Sequence, residues 1–108
     1  MVRAVREGSM RLDRNIGDAG KYALVRMRDL TSDMRGALDA LATGGVVDMA
    51  SAGDQDEFFA IKLKDKYAQA ALLAYADAAE ADDPEYAADV RELAARAGPA
   101  SPWCKRPD

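Results

Sequence analysis

Six side chains carry the arrangement with the most chemical content: Tyr22, Arg26 and Arg28 in one stretch, and Phe58, Lys62 and Lys64 in another. In residues 20–28, Ala23, Val25 and Met27 alternate with Tyr22, Leu24, Arg26 and Arg28. In residues 57–64, Phe59, Ile61 and Leu63 alternate with Phe58, Ala60, Lys62 and Lys64. A period of two assigns alternate residues to opposite faces of a strand. With both apolar sets turned to a layer of helices, the outer face of the sheet holds four cations beside Tyr22, Leu24 and Phe58. Such a face can neutralise phosphates and stack rings, so it defines a candidate site for a nucleotide-like small molecule. The competing expectations are a solvated face, a homo-oligomer contact through the aromatics, or cations answered by the chain's own carboxylates.

A second constellation is acidic. Asp77, Glu80, Asp82, Asp83, Glu85, Asp89 and Glu92 surround one inter-helix turn. The group lacks the spacing of a calcium loop. Helix caps and outer-face residues account for much of it, and Asp82, Asp83 and Glu85 are the members offered to a protein partner. Trp103, the only tryptophan, stands in a proline-rich tail. Its expected role is to dock on the domain and pin that tail, with a partner contact as the alternative.

Catalysis finds little material. The chain has no histidine and one cysteine, Cys104. The commonest general base and metal ligand are therefore absent, and no disulfide or cysteine-based zinc site can form within one chain. Neighbouring Lys105 and Arg106 can lower a thiol pKa, yet a nucleophile without a base turns over poorly. Neither a phosphate-binding loop nor a nucleophile elbow or dinucleotide fingerprint occurs. The expectation is a non-enzymatic protein without metal or cofactor.

Elements must position these residues. The strands are expected at 20–28, 46–49 and 57–64. Met34, Ala37, Leu38 and Leu41 make one helical face within 29–45, with Thr31 or Ser32 as N-cap and Gly44-Gly45 as the stop. Gly36 inside that helix suggests a close packing contact. Residues 66–80 are rich in alanine, the best helix former. Asp83 followed by Pro84 reads as an N-cap with proline at the first helical position, opening a helix over 84–97 that Gly98-Pro99 ends. The last two helices are expected to pair antiparallel. The order is β-α-β-β-α-α, an α+β fold with a three-stranded mixed sheet and helices packed on one face. A winged helix ranks second, because no helix-turn-helix precedes the region that resembles a wing. Residues 1–19 read as a flexible basic extension, 20–98 as a single domain and 99–108 as a proline-rich tail.

The 108 residues suit one small domain, and 49% hydrophobic with 31% charged residues is a globular balance. Charge is segregated. Residues 1–28 hold seven basic and three acidic groups, whereas residues 67–98 hold two basic and seven acidic ones. The net charge of −4 makes nucleic acid an unfavoured partner. No stretch approaches the roughly 20 apolar residues of a membrane span, and the start lacks a signal-peptide core. A reduced cytoplasmic setting is the expectation.

The runs Gly20-Lys21-Tyr22-Ala23-Leu24-Val25, Glu57-Phe58-Phe59-Ala60-Ile61-Lys62-Leu63-Lys64-Asp65-Lys66-Tyr67-Ala68, Asp83-Pro84-Glu85-Tyr86-Ala87 and Ser101-Pro102-Trp103-Cys104-Lys105-Arg106-Pro107-Asp108 resemble small accessory proteins of tailed phages and prophages. The resemblance covers residues 20–108 and carries over no activity and no functional residues. It implies a context, the cytoplasm of a bacterial host, in which such proteins counter host defence by binding. Three expectations stand beside it. One is sequestration of a nucleotide-like signalling molecule, and a second is inhibition of a host protein through the acidic helical pair or the tail. A purely structural phage role is the third.

Overall fold

The computed structural model of the chain describes residues 20–107. Among them lie three α-helices and two short 3-10 turns, and no strand. We number the helices α1 (Ser32–Thr43), α2 (Ala68–Ala79) and α3 (Pro84–Ala94). The expected α+β fold with its three-stranded sheet is thus overturned, and the described chain is mostly helical. The expected extension over 1–19 lies outside the described residues.

The helices follow from local chemistry. Thr31 is the N-cap of α1, its hydroxyl accepting from the Met34 amide at 3.2 Å. At the other end Gly45 takes φ +75°. That conformation lets the Val46 amide reach the Leu41 carbonyl and the Gly45 amide reach the Ala42 carbonyl, the paired bonds of a Schellman stop. Asp83 caps α3 by accepting from the Tyr86 amide at 3.1 Å, and Pro84 opens the helix. Gly36 does not have the packing contact expected of it, since a Cβ there would meet nothing within 4 Å.

The strands failed for a different reason. An isolated strand has no internal hydrogen bonds and is stable only if a partner takes its amides and carbonyls. Residues 57–60 find no such ladder, and Phe59 is 86% exposed where it was expected in the core. Residues 23–26 are likewise irregular, and Met27–Asp29 closes into a 3-10 turn. Residues 46–50 are irregular too. Residues 62–66 do find backbone partners, but in the C-terminal tail.

The chain divides into two compact units. One is Leu24–Ala60, and the other contains residues 61–107 with residues 20–23. The first unit holds α1, followed by tight turns at residues 51–57. There Gly53, at φ +81°, donates its amide to the Glu57 carboxylate at 3.0 Å. Leu38 is the one buried hydrophobic residue of this unit.

The second unit is built on the α2–α3 hairpin. Gln69 Nε2 donates to the Ala94 carbonyl at 3.0 Å, Tyr75 and Tyr86 share a hydroxyl bond at 3.1 Å, and Arg91 reaches back to Glu80. From Gln69 to Tyr75 along α2 the partner on α3 falls from Ala94 to Tyr86, so the pair is antiparallel, as expected. Ala76, Ala87 and Val90 form the buried centre, with Leu72, Ala79 and Tyr86 packed around it. Val90 is the largest apolar member of that buried centre, worth roughly 1.5–3 kcal/mol. Asp89, on the same helix, is fully buried as well. No helix among the described residues is long and apolar enough to cross a membrane.

Candidate functional site

The C-terminal tail is tied to the start of the hairpin by its backbone. The Gly98 amide donates to the Leu63 carbonyl at 2.7 Å. The Lys105 amide donates to the Lys64 carbonyl at 2.9 Å, and the Lys66 amide donates to the Lys105 carbonyl at 2.8 Å. These bonds make a parallel bridge between Asp65 and Lys105. Between the two attachments, the 3-10 turn Gly98–Ala100 leads into Ser101, which is buried. Its hydroxyl accepts from the Trp103 amide at 3.2 Å and its carbonyl from the Cys104 amide at 3.2 Å.

Glycine is required at the first attachment for two separate reasons. Gly98 has φ +60°, a conformation L side chains rarely adopt. A Cβ on it would also stand 3.1 Å from the Lys66 carbonyl oxygen and 3.1 Å from the Gln69 Cβ. The chain can therefore reverse here only with its backbone pressed against the entry to α2.

The attachment gathers Lys62, Lys64 and Lys66 beside Lys105, Arg106 and Trp103. Among the described residues, no carboxylate forms a salt bridge with Lys62, Lys64, Lys66 or Arg106. Lys66 Nζ instead lies over the Tyr67 ring, 5.9 Å from its centroid. Trp103 is 74% exposed. The tail is pinned, then, but by main-chain bonds, and the indole that was expected to pin it faces solvent. Asp65 accepts from the Tyr67 amide through its side chain at 2.8 Å and from the Ala68 amide through its carbonyl at 2.9 Å. Asp65 thus takes the two amides at the entry to α2, one with its carboxylate and one with its carbonyl.

The far end of the hairpin is acidic. Arg91 donates to Glu80 at 2.8 Å and to Asp77 at 3.0 Å, joining α3 to α2. The hydrogen bond to Glu80, then that to Asp77, holds the guanidinium above the ordinary arginine value. Asp82 and Glu85 are exposed in and after the turn, and Asp83 is committed to its cap.

The structure regroups the residues singled out in the sequence. The common sheet face that was to carry Tyr22, Arg26, Arg28, Phe58, Lys62 and Lys64 does not exist. Tyr22, Lys62 and Lys64 belong to the hairpin unit, and Arg26, Arg28 and Phe58 to the other. Tyr22 is exposed, with Lys21 Nζ 5.8 Å from its ring centroid. Arg26 and Arg28 flank and join the 3-10 turn, and Phe58 lies exposed in irregular chain. Nucleotide binding by a cationic sheet face loses its platform. The partner-binding set also separates, with Asp82, Asp83 and Glu85 at the closed end of the hairpin and Trp103 at its open end. Sequence reasoning missed the backbone pairing of Lys64 with Lys105, two residues after Trp103. The available signal was the basic pair Lys105-Arg106 following an otherwise unexplained tryptophan.

No protein-family model, curated protein or solved structure matches the chain.

Proposed function

We propose that the chain is a non-enzymatic protein-binding module whose contact surface is the open end of the α2–α3 hairpin. The observation that carries this reading is Trp103, exposed on a segment whose backbone is held on both sides. An exposed tryptophan on an ordered loop loses little entropy on docking, and tryptophan is enriched among the residues that dominate binding energy. Lys62, Lys64, Lys66 and Arg106, which form no salt bridge among the described residues, lie in the two segments that the backbone joins there, and they supply orientation and speed of encounter. In the context of a small phage protein, the partner is a host protein whose activity the bound module blocks.

The test is affinity capture from bacterial lysate with the bound protein identified by mass spectrometry. One protein retained by the wild-type chain and lost by Trp103→Ala is the expected result. Retention that ignores Trp103→Ala but is lost on charge reversal at Asp82 and Glu85 would move the contact to the acidic end. Capture of nothing by either form sinks the reading.

A further inference from the structure

We infer that the open end of the hairpin recognises a short acidic segment of its protein partner, with Trp103 packing on an apolar side chain beside the acidic ones. This rests on the protein-binding reading and names the chemistry of the partner.

Among the described residues, Lys62, Lys64, Lys66 and Arg106 form no salt bridge, and they stand within a few residues of the Asp65–Lys105 bridge. Cations held together without counter-charges repel one another, and an incoming carboxylate relieves that repulsion. Tyr67 and Trp103, one in each of the two joined segments, are both exposed and offer apolar area. A ligand that satisfies both needs carries acidic groups alongside an apolar or aromatic one.

Two observations favour a peptide over phosphate chemistry. The usual phosphate cradle is a helix N-terminus with free amides. Here the Ala68 amide is already taken by the Asp65 carbonyl, and the backbone of Gly98 stands against the Gln69 amide, where a Cβ on Gly98 would come within 3.2 Å. What remains is three flexible ammonium groups and one guanidinium, which suit dispersed carboxylates better than a compact phosphate. The second observation is the sign reversal along the hairpin. Helix α2 has 12 residues, so it is about 18 Å long. That exceeds two screening lengths of about 8 Å at physiological salt. A short acidic segment at the open end therefore does not feel Asp77, Glu80 and Asp82 at the other, whereas a long nucleic-acid strand laid along the hairpin meets them.

The test titrates the full chain with a peptide of alternating glutamate and leucine and follows Trp103 emission, the only tryptophan signal. A peptide with glutamine in place of glutamate, inorganic tripolyphosphate and a single-stranded oligonucleotide serve as controls. The expected result is a saturable blue shift with the glutamate peptide alone, weakened by added salt. Lys62→Glu with Lys64→Glu should weaken binding at least about tenfold, Arg106→Glu should also weaken it, and Asp82→Lys should leave it unchanged. Circular dichroism of each variant shows whether the helices persist.

Tripolyphosphate or the oligonucleotide binding as tightly as the glutamate peptide would overturn the inference. So would the absence of any saturable shift, or binding indifferent to both the lysine pair and Arg106. If a captured protein depends on Trp103 while the acidic peptide is ignored, the inference fails and the binding-module reading stands. If Trp103→Ala captures as the wild type does, the module reading fails by its own experiment.

Discussion

The amide of Gly98 donates to the carbonyl of Leu63 at 2.7 Å, and this contact is where the chain leaving α3 meets the chain entering α2. It closes the open end of the hairpin and starts the tail on the path that leads to Trp103. Gly98→Ala should therefore be costly. The left-handed conformation alone costs about 1–2 kcal/mol for a residue with a Cβ, and the contacts at 3.1 Å add to it. The measurement is thermal or urea unfolding. For a domain of this size each kcal/mol lowers Tm by about 4–8 °C. A variant as stable as the wild type would contradict the described geometry.

Gly36 stands in the opposite situation. It lies inside α1, and a Cβ there would touch nothing within 4 Å. Gly36→Ala should stabilise the helix by roughly 0.5–1 kcal/mol, because alanine loses less backbone freedom on folding. Gly45→Ala, at φ +75° in the stop of the same helix, should destabilise instead. The two substitutions, measured side by side by thermal unfolding, must move in opposite directions.

Asp83 is the cap of α3, accepting from the Tyr86 amide at 3.1 Å. Asp83→Ala should cost about 1 kcal/mol in unfolding free energy, and Asp83→Asn should recover most of it, since asparagine caps nearly as well. An equal loss in both variants would mean that the residue acts through its charge and not through its cap.

Trp103 offers a spectroscopic check. At 74% exposure it should emit as a solvated indole, and Trp103→Ala should change stability by no more than about 0.5 kcal/mol. The cations nearby give a sharper expectation. Iodide, drawn by Lys62, Lys64, Lys105 and Arg106, should quench Trp103 more strongly than caesium does, and the difference should shrink as salt rises. Equal quenching by both ions would remove the electrostatic part of the proposed site.

What could be read from the sequence was whatever depended on neighbours within a turn or two. Thr31, Asp83-Pro84 and Gly44-Gly45 marked helix ends correctly because caps and stops are made by residues three to five apart. The same holds for the alanine-rich run of α2. The alternation of Phe59, Ile61 and Leu63 with Ala60, Lys62 and Lys64 was equally visible and misled. A period of two records only that one face is apolar. A strand also needs a second strand, and nothing local reports whether one is present.

The sequence by itself thus determined three helices, the N-caps of the first and third and the segregation of charge. The tertiary structure alone decided where Lys64 and Trp103 would stand relative to each other. The two segments that carry them are joined by main-chain bonds between residues far apart in the chain, Lys64 with Lys105 and Leu63 with Gly98. Backbone amides and carbonyls are the same in every residue, so no side-chain pattern announces which of them will pair. Only the closure of the α2–α3 hairpin brings those segments within reach.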